Sequence, residues 1–315
     1  MFYMIYLSLT ILFIFPRLQT EQQLIEESKP HIIVLGNIQD GGSPHIACNK
    51  ECCRTLFTSP DADRKVVSLG LIDPKNKKKF ILEATPDFPV QAKKLKDQPP
   101  VSTKETPDAI FLSHAHIGHY TGLMYLGKEA MNAARIPVYA MPKMKLFLEN
   151  NGPWSQLVTL ENISLREMQN EESITLTPNI SITPFIVPHR DEFSETVGYL
   201  ISGTAKSALF IPDIDKWAKW GKNIIDEVKK VDYAFLDATF YDGEEVNYRD
   251  ISQIPHPFII ETMALFKDLP GKQKSKIHFI HFNHTNPLLK RESKQSQQVL
   301  LSGFNIARIN DVYTL

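Results

Sequence analysis

The chain has 315 residues, enough for one large domain or two ordinary ones, and its 43% hydrophobic and 23% charged residues are typical of a globular protein. The formal net charge of -1 argues against a strong electrostatic attraction to nucleic acid or anionic lipid. We therefore predict a small-molecule substrate and no nucleic-acid partner.

The N-terminal segment is almost wholly apolar over residues 2–15, and this apolar run ends at Pro16 and Arg17. It is shorter than the ~20 residues that cross a bilayer comfortably, but it suits the apolar region of an export signal. A basic region before it and a small-residue cleavage site after it are missing, so an uncleaved anchor is the alternative. We predict a signal peptide or N-terminal anchor over residues 1–22, with export to the periplasm or the exterior. We expect contact with a membrane only if this N-terminal segment stays uncleaved.

The remaining residues, 23–315, alternate predicted strands and helices. The predicted strands are 31–36, 66–73, 78–85, 108–114, 136–141, 163–168, 180–187, 196–203, 207–213, 233–239 and 276–282. The predicted helices are 89–97, 120–133, 142–151, 216–229 and 255–269, and a short helix and strand end the chain. Because no repeat or long linker interrupts this pattern, we predict one α/β domain with two mixed β-sheets and outer helices.

A histidine cluster, SHAHIGHY at 113–120, directly follows an apolar strand. His114 and His116 are two residues apart, so in extended chain both point to one side. His119 is predicted at the start of the next helix. Neutral imidazoles at a rigid strand end are good ligands for zinc or a similar divalent ion. The alternative is a chance cluster of surface histidines, which three histidines within six residues disfavour.

The segment HAHIGH resembles the HxHxDH motif of the metallo-β-lactamase superfamily. The resemblance implies an αββα sandwich with metals at one edge of the two sheets. It also implies later ligands at strand ends, which match His189, Asp213 as the bridging carboxylate, and His281. Asp215 competes with Asp213, which follows its strand directly, and His256 reads as a simple loop residue.

The residues at positions 237 and 118 leave two questions about the metal ligands undecided: the role of Asp237 and the completeness of the second site. Asp237 either orients a ligand histidine through its second nitrogen or caps a turn. Gly118 stands where the superfamily has an aspartate that ligates the second metal. The first site keeps His114, His116, His189 and Asp213. The second site keeps only His119, His281 and the shared Asp213, so we expect it to bind weakly, to hold a different metal, or to be empty.

The three cysteines, Cys48, Cys52 and Cys53, follow the first strand and its glycine-rich turn. The stretch VLGNIQDGGSPHIACNKECC resembles the subgroup that contains coenzyme PQQ synthesis protein B and the cyclic phosphodiesterase of phosphonate degradation. Those relatives carry CxCxxC here, so the middle cysteine is shifted to Cys52 in this chain. In the phosphodiesterase a late histidine, matched by His284, completes a structural zinc site. The resemblance implies such a site; a disulfide or free thiols are the alternatives.

These residues favour a metallo-hydrolase in which a metal-bound hydroxide attacks an ester, lactone or phosphodiester. Asp213 would hold the metal and accept a proton, and His281 or His119 would protonate the leaving group. The expected cofactors are one catalytic zinc, a weak second ion and one structural zinc, with iron or manganese as alternatives. The competing hypotheses are an oxidative enzyme resembling the PQQ synthesis protein and a non-catalytic metal-binding protein.

Overall fold

A computed structural model describes residues 29–247 and 249–315 of the chain. The predicted signal peptide or anchor at 1–22 lies outside the described residues and stays a prediction. Among the helices that are described, none is long and apolar enough to cross a membrane.

The first sheet has seven strands in the order β14-β1-β2-β3-β4-β5-β6. Strands β14 to β3 pair antiparallel, and β3 to β6 pair parallel. The bounds are β1 His31–Gly36, β2 Ser68–Asp73, β3 Lys78–Leu82, β4 Ala109–Phe111, β5 Ile136–Ala140, β6 Ile163–Glu167 and β14 Val312–Thr314.

The second sheet also has seven strands, in the order β13-β12-β11-β10-β9-β8-β7. Strands β7 to β10 pair antiparallel and β10 to β13 pair parallel. The bounds are β7 Ile174–Thr177, β8 Ile180–Ile186, β9 Val197–Ser202, β10 Ser207–Ile211, β11 Tyr233–Asp237, β12 Ile277–Ile280 and β13 Asn305–Ile306.

The two sheets pack face to face, with helices outside both. Residues from both inner faces, including Phe111 and Tyr199, form a central core, and their rings meet edge to face at 6.2 Å. Separate apolar cores lie between each sheet and its helices. Strands covered on both faces are continuously apolar, which is why the sequence pattern shows them clearly. The predicted sandwich of two mixed sheets with outer helices is confirmed.

The helices differ from prediction at several places, and the helix expected over 255–269 is confined to Ile259–Leu265. The expected helix over 120–133 is wrong: a 3-10 turn at Thr121–Leu126 follows one short helix, because Gly122 packs so closely that a Cβ there would lie 2.1 Å from the Thr85 carbonyl oxygen. The expected helix over 216–229 begins only after Asn223, whose side chain caps it. Strand β7 and the helices at 51–54, 154–159 and 271–274 were missed. The helices are α1 Glu51–Arg54, α2 Phe88–Asp97, α3 Ile117–Tyr120, α4 Pro142–Asn150, α5 Trp154–Thr159, α6 Ile224–Lys229, α7 Ile259–Leu265, α8 Gly271–Lys274 and α9 Lys294–Leu301.

The two sheets meet at one edge, beyond the ends of β1 and β12. Ile38 pairs with both Val66 and Phe282 in isolated parallel bridges. The amide of Gln39 donates to the Phe282 carbonyl at 2.8 Å. Segments that leave the strand ends on both sheets are thereby held together at this edge, which is where α/β proteins place functional side chains.

Candidate metal centre

The first group of ligand-type side chains joins the predicted His114, His116, His189 and Asp213. Nε2 of His114 lies 2.9 Å from Nδ1 of His116 and 3.4 Å from Oδ2 of Asp213. Nε2 of His189 lies 3.1 Å from the same carboxylate oxygen. Ligand atoms around a tetrahedral zinc stand about 3.3 Å apart, given Zn–N bonds of ~2.0–2.1 Å. The spacing of this group therefore fits one divalent ion.

The second group joins the predicted His119, His281 and Asp213 with a fourth side chain, Asp40. Oδ1 of Asp40 lies 2.8 Å from Nε2 of His119 and 3.4 Å from Nε2 of His281. Asp213 belongs to both groups and so lies between them. The carboxylate of Asp40 therefore stands where sequence reasoning left the second site incomplete.

His256 lies inside the centre, contrary to its interpretation as a simple loop residue. Its Nδ1 is 3.0 Å from Oδ1 of Asp213 and 2.9 Å from Oδ2 of Asp237. Its side chain is 15% exposed, whereas that of Asp213 is 2% exposed. His256 therefore connects the central carboxylate to the more open side of the centre.

Each of the more buried histidines has a polar side chain beside Nδ1, its second ring nitrogen. Such partners fix ring orientation and tautomer and strengthen the imidazole as a ligand. Asp237 also accepts a hydrogen bond from the Thr239 amide at 3.0 Å, so it both orients histidines and stabilises a turn. The pairs are Ser113 with His114 at 2.8 Å, Glu83 with His119 at 3.5 Å, and Thr239 with His281 at 2.9 Å, while Asp215 lies 3.5 Å from His189 without a hydrogen bond.

The pKa values of Asp213 and His119 are set by the charged side chains around them. Burial opposes ionisation of Asp213, but the positive charges of His256 and His189 outweigh it and hold the Asp213 pKa well below its usual range. Burial likewise opposes protonation of His119, yet the carboxylates of Asp40 and Glu83 raise the His119 pKa well above its usual value. Carboxylates at this density need positive charge beside them, which a divalent ion supplies.

Unpaired buried atoms supply a direct test of whether a metal fits. Both ring nitrogens of His189 and Oδ1 of Asp213 are buried without a hydrogen-bond partner. A buried polar atom without a partner costs about 1–3 kcal/mol. An ion bonded to Nε2 of His189 and to Asp213 would satisfy that nitrogen and the carboxylate, so the donor set fits a metal.

A separate group joins the three cysteines with His284. All three cysteines are free, which contradicts the disulfide alternative. Sγ of Cys52 lies 3.9 Å from that of Cys48 and 3.8 Å from that of Cys53. Around tetrahedral zinc, sulfur ligands stand about 3.8 Å apart, given Zn–S bonds of ~2.3 Å. The arrangement fits the predicted structural zinc site.

The surroundings of this cysteine group also favour a cation. Burial and the adjacent sulfur atoms of Cys53 and Cys48 raise the Cys52 pKa to about 12, because neighbouring thiolates repel one another. Nδ1 of His284 lies 3.0 Å from Oδ1 of Asn283, an acceptor, so Nδ1 carries the proton and Nε2 keeps a lone pair. The amide of His45 donates to Sγ of Cys53 at 3.3 Å. A metal ion would deprotonate the thiols and tie the loop after β1 to the loop after β12.

A sandwich of two mixed sheets with histidines and carboxylates at its strand ends defines a protein of the metallo-β-lactamase fold. Residues 78–279 match the model of the beta-lactamase superfamily domain, and the chain belongs to this family.

Individual relatives place the chain near the predicted subgroup. Coenzyme PQQ synthesis protein B of Methylorubrum extorquens (strain PA1) is 22% identical over 303 residues, which cover 88% of this chain and 97% of that protein. The crystal structure of Zn(2+)-bound PqqB from Methylobacterium extorquens has a TM-score of 0.71 and 20% identity, and the match covers 90% of this chain and 100% of that one. A diphosphatase from the PhnP family has a TM-score of 0.64 and 21% identity over 91% and 97% of the two chains. The resemblance to this subgroup is thereby confirmed.

The structure brings together all the side chains that the sequence singled out as metal ligands, in the three predicted sets. Their role as ligands stays a prediction. Sequence reasoning missed Asp40, Glu83 and His256. The first two follow apolar strands, a signal that could have found them. His256 lies in the segment predicted as the start of a helix over 255–269, whereas the helix begins only at Ile259, and no local signal marks His256 as a site residue.

Proposed function

We propose that this protein is a metal-dependent hydrolase that acts on an ester, a lactone or a phosphodiester, with zinc as its resident metal. The observation that carries the proposal is that three four-residue groups of ligand-type side chains share the buried Asp213, two of them at the predicted metal sites and the third with Asp237, His256 and His281. The zinc named for the PqqB structure and the phosphate chemistry named for the PhnP-family diphosphatase support the metal and the reaction class.

The chain's own residues can then be given roles. Divalent ions at these ligands would lower the pKa of water and polarise the bond under attack. The buried carboxylate of Asp213 can accept a proton from the attacking water. His256 can give a proton to the leaving oxygen, because its Nδ1 is held by two carboxylates and its Nε2 is left for transfer. We assign the role of proton donor to His256 rather than to His281 or His119, because those two histidines belong to the second group of ligands.

The open side of the centre favours an anionic small molecule as the substrate. The side chain of His116 is 14% exposed, against 1% for His189. Arg190 stands beside it, with Nη2 3.5 Å from Nε2 of His116. A guanidinium recognises phosphate or carboxylate oxygens, so we place the phosphodiester first among the three substrate classes.

An oxidative enzyme is the second candidate function. Its support is the similarity to coenzyme PQQ synthesis protein B along most of both chains. A site of imidazoles and carboxylates also suits iron. Such a site would consume O2 in the presence of an oxidisable substrate, whereas the hydrolase would not.

The experiment that tests the proposal combines metal analysis with a hydrolysis screen. The purified protein is loaded with zinc, manganese or iron and assayed on p-nitrophenyl esters, lactones and bis-p-nitrophenyl phosphate. We expect hydrolysis that falls by at least ~1000-fold in His116→Ala and Asp213→Asn, because each loses a ligand of the first group. His31→Ala, a histidine outside the ligand groups, should keep the wild-type rate. Hydrolysis that survives in both site variants would sink the proposal, and metal-loaded protein that only consumes O2 would favour the oxidative enzyme.

A further inference from the structure

We propose that Asp40 replaces the carboxylate that is missing at Gly118, so that Asp40, His119, Asp213 and His281 form a complete second divalent-cation site. This deepens the proposed function and rests on its metal centre. The expectation that the second site is weak or empty follows from a motif with one position lost. The fold supplies the missing donor from a different loop.

The contacts of Asp40 are those of a ligand. Its Oδ1 lies 2.8 Å from Nε2 of His119 and 3.4 Å from Nε2 of His281. Its side chain is 12% exposed, so it is largely withdrawn from water. One ligand atom from each of the four residues lies within 4.8 Å of the others. Two imidazoles and two carboxylates make a donor set that zinc, manganese and iron all accept.

The absence of a side chain at residue 118 is what admits Asp40. A Cβ on Gly118 would lie 2.6 Å from both Cα and Oδ1 of Asp40. Cβ atoms essentially never approach other heavy atoms that closely. An aspartate at residue 118 and Asp40 in its present position therefore exclude each other. The glycine at residue 118, which departs from the superfamily motif, and the carboxylate of Asp40 in the second site therefore depend on each other.

The loop that carries Asp40 is fixed to the strand end that carries His281. The amide of Gln39 donates to the carbonyl of Phe282 at 2.8 Å, and the amide of Phe282 donates to the carbonyl of Asn37 at 2.7 Å. Gly42, with φ of +72°, closes the turn by donating its amide to the Gln39 carbonyl at 2.9 Å. Asp40 and His281 are neighbours through backbone hydrogen bonds, so their side chains are positioned before any ion arrives.

The test measures manganese binding. Mn²⁺ prefers oxygen and nitrogen ligands, so ions bound at the cysteine group do not add to the number of Mn²⁺ ions counted per chain. The full-length protein is titrated with Mn²⁺ and followed by elemental analysis after dialysis and by electron paramagnetic resonance. We expect two ions per chain with the spectrum of a coupled pair. In Asp40→Asn the coupled signal should disappear and the second ion should bind at least ~100-fold more weakly, more than the ~10–100-fold typical for loss of an outer partner.

A second variant keeps the test decisive if Asp40→Asn folds poorly. Gly118→Ala removes no donor atom, yet its Cβ must displace Asp40, so we expect the same loss of the second ion and of the coupled signal. The matched control is Gly221→Ala, because a Cβ at Gly221 meets nothing within 4 Å, and it should bind two ions as the wild type does. Circular dichroism establishes that each variant is folded.

The proposal is overturned if a folded Asp40→Asn or Gly118→Ala binds the second ion within about threefold of the wild type, or if the wild type itself takes up only one ion. Neither readout requires turnover. Two coupled ions without hydrolysis of any substrate would leave this site standing while the proposed function failed.

Discussion

Nδ1 of His256 lies 2.9 Å from Oδ2 of Asp237, the last residue of strand β11. The same nitrogen is 3.0 Å from Asp213. The backbone of His256 adopts φ of 87°, which for a residue other than glycine costs on the order of 1–3 kcal/mol. The contacts with two buried carboxylates hold the residue in this strained conformation, as expected for a residue whose position serves function.

We predict that His256→Gln lowers kcat by about 100-fold to 10,000-fold and leaves KM nearly unchanged, because a positioned proton donor contributes in that range. Metal content should stay at the wild-type value. Steady-state kinetics and elemental analysis of the same preparation measure both. A parallel loss of one bound ion would instead make His256 a ligand, since it also lies within ligand distance of Asp213, Asp237 and His281.

We predict that Arg190→Ala raises KM for a phosphodiester by about tenfold and leaves KM for a neutral ester unchanged. The guanidinium beside His116 would contact the anionic group in both the ground state and the transition state, so kcat should change little. Arg166→Ala, on edge strand β6 at the far end of the first sheet, is the control. An equal rise in KM for both substrates would show that Arg190 does not recognise the charge of the substrate.

We predict that Glu83→Gln weakens metal binding by about 10–100-fold, because the carboxylate that orients His119 would lose its charge. Competition against a chelator of known affinity measures the change. Glu161→Gln is a matched control: both glutamates adopt positive φ, but the side chain of Glu161 is 63% exposed and remote from the centre. An unchanged affinity in Glu83→Gln would assign Glu83 a purely structural role.

We predict that Cys53→Ser removes one zinc per chain and lowers Tm. Cys53 is fully buried beside Cys52, and zinc that binds only the folded chain stabilises it by mass action. Each kcal/mol lost corresponds to a fall in Tm of roughly 2–4 °C. Calorimetry with a chelator supplies the comparison: chelation should lower the Tm of the wild type more than that of the variant. Equal shifts in the two proteins would show that the cysteine group holds no stabilising ion.

We predict a stability change with pH at His278, away from the ligand groups. Burial lowers the pKa of His278 to about 4 from an ordinary value of 6.5. As pH falls below 6.5, the unfolded chain binds a proton that the folded chain refuses, so stability declines until about pH 4 by roughly 3 kcal/mol. The stability gap between the wild type and His278→Gln should narrow over this interval in urea unfolding. A gap that stays constant with pH would contradict the prediction.

The local sequence was enough to predict most strands and the members of the three ligand sets. Strands such as SLGLID in β2 are buried along their whole length, so their apolar runs are visible without knowledge of their neighbours. His114, His189, Asp213 and His281 were identified because each follows such a strand. The helix over 120–133 was predicted wrongly because the close packing of Gly122 against Thr85, a long-range contact, outweighs local helical periodicity.

Only the tertiary structure decided which other side chains complete the centre. Asp40 and His119 are 79 residues apart in the chain, and Asp40 and His281 are 241 apart. They meet because two sheets are joined by backbone hydrogen bonds at one edge, and because Gly118 leaves room there. A sequence shows which residues can act as donors at the ends of its strands. Which donors converge depends on strand pairing and on the space that neighbouring residues leave free, and both are properties of the folded chain.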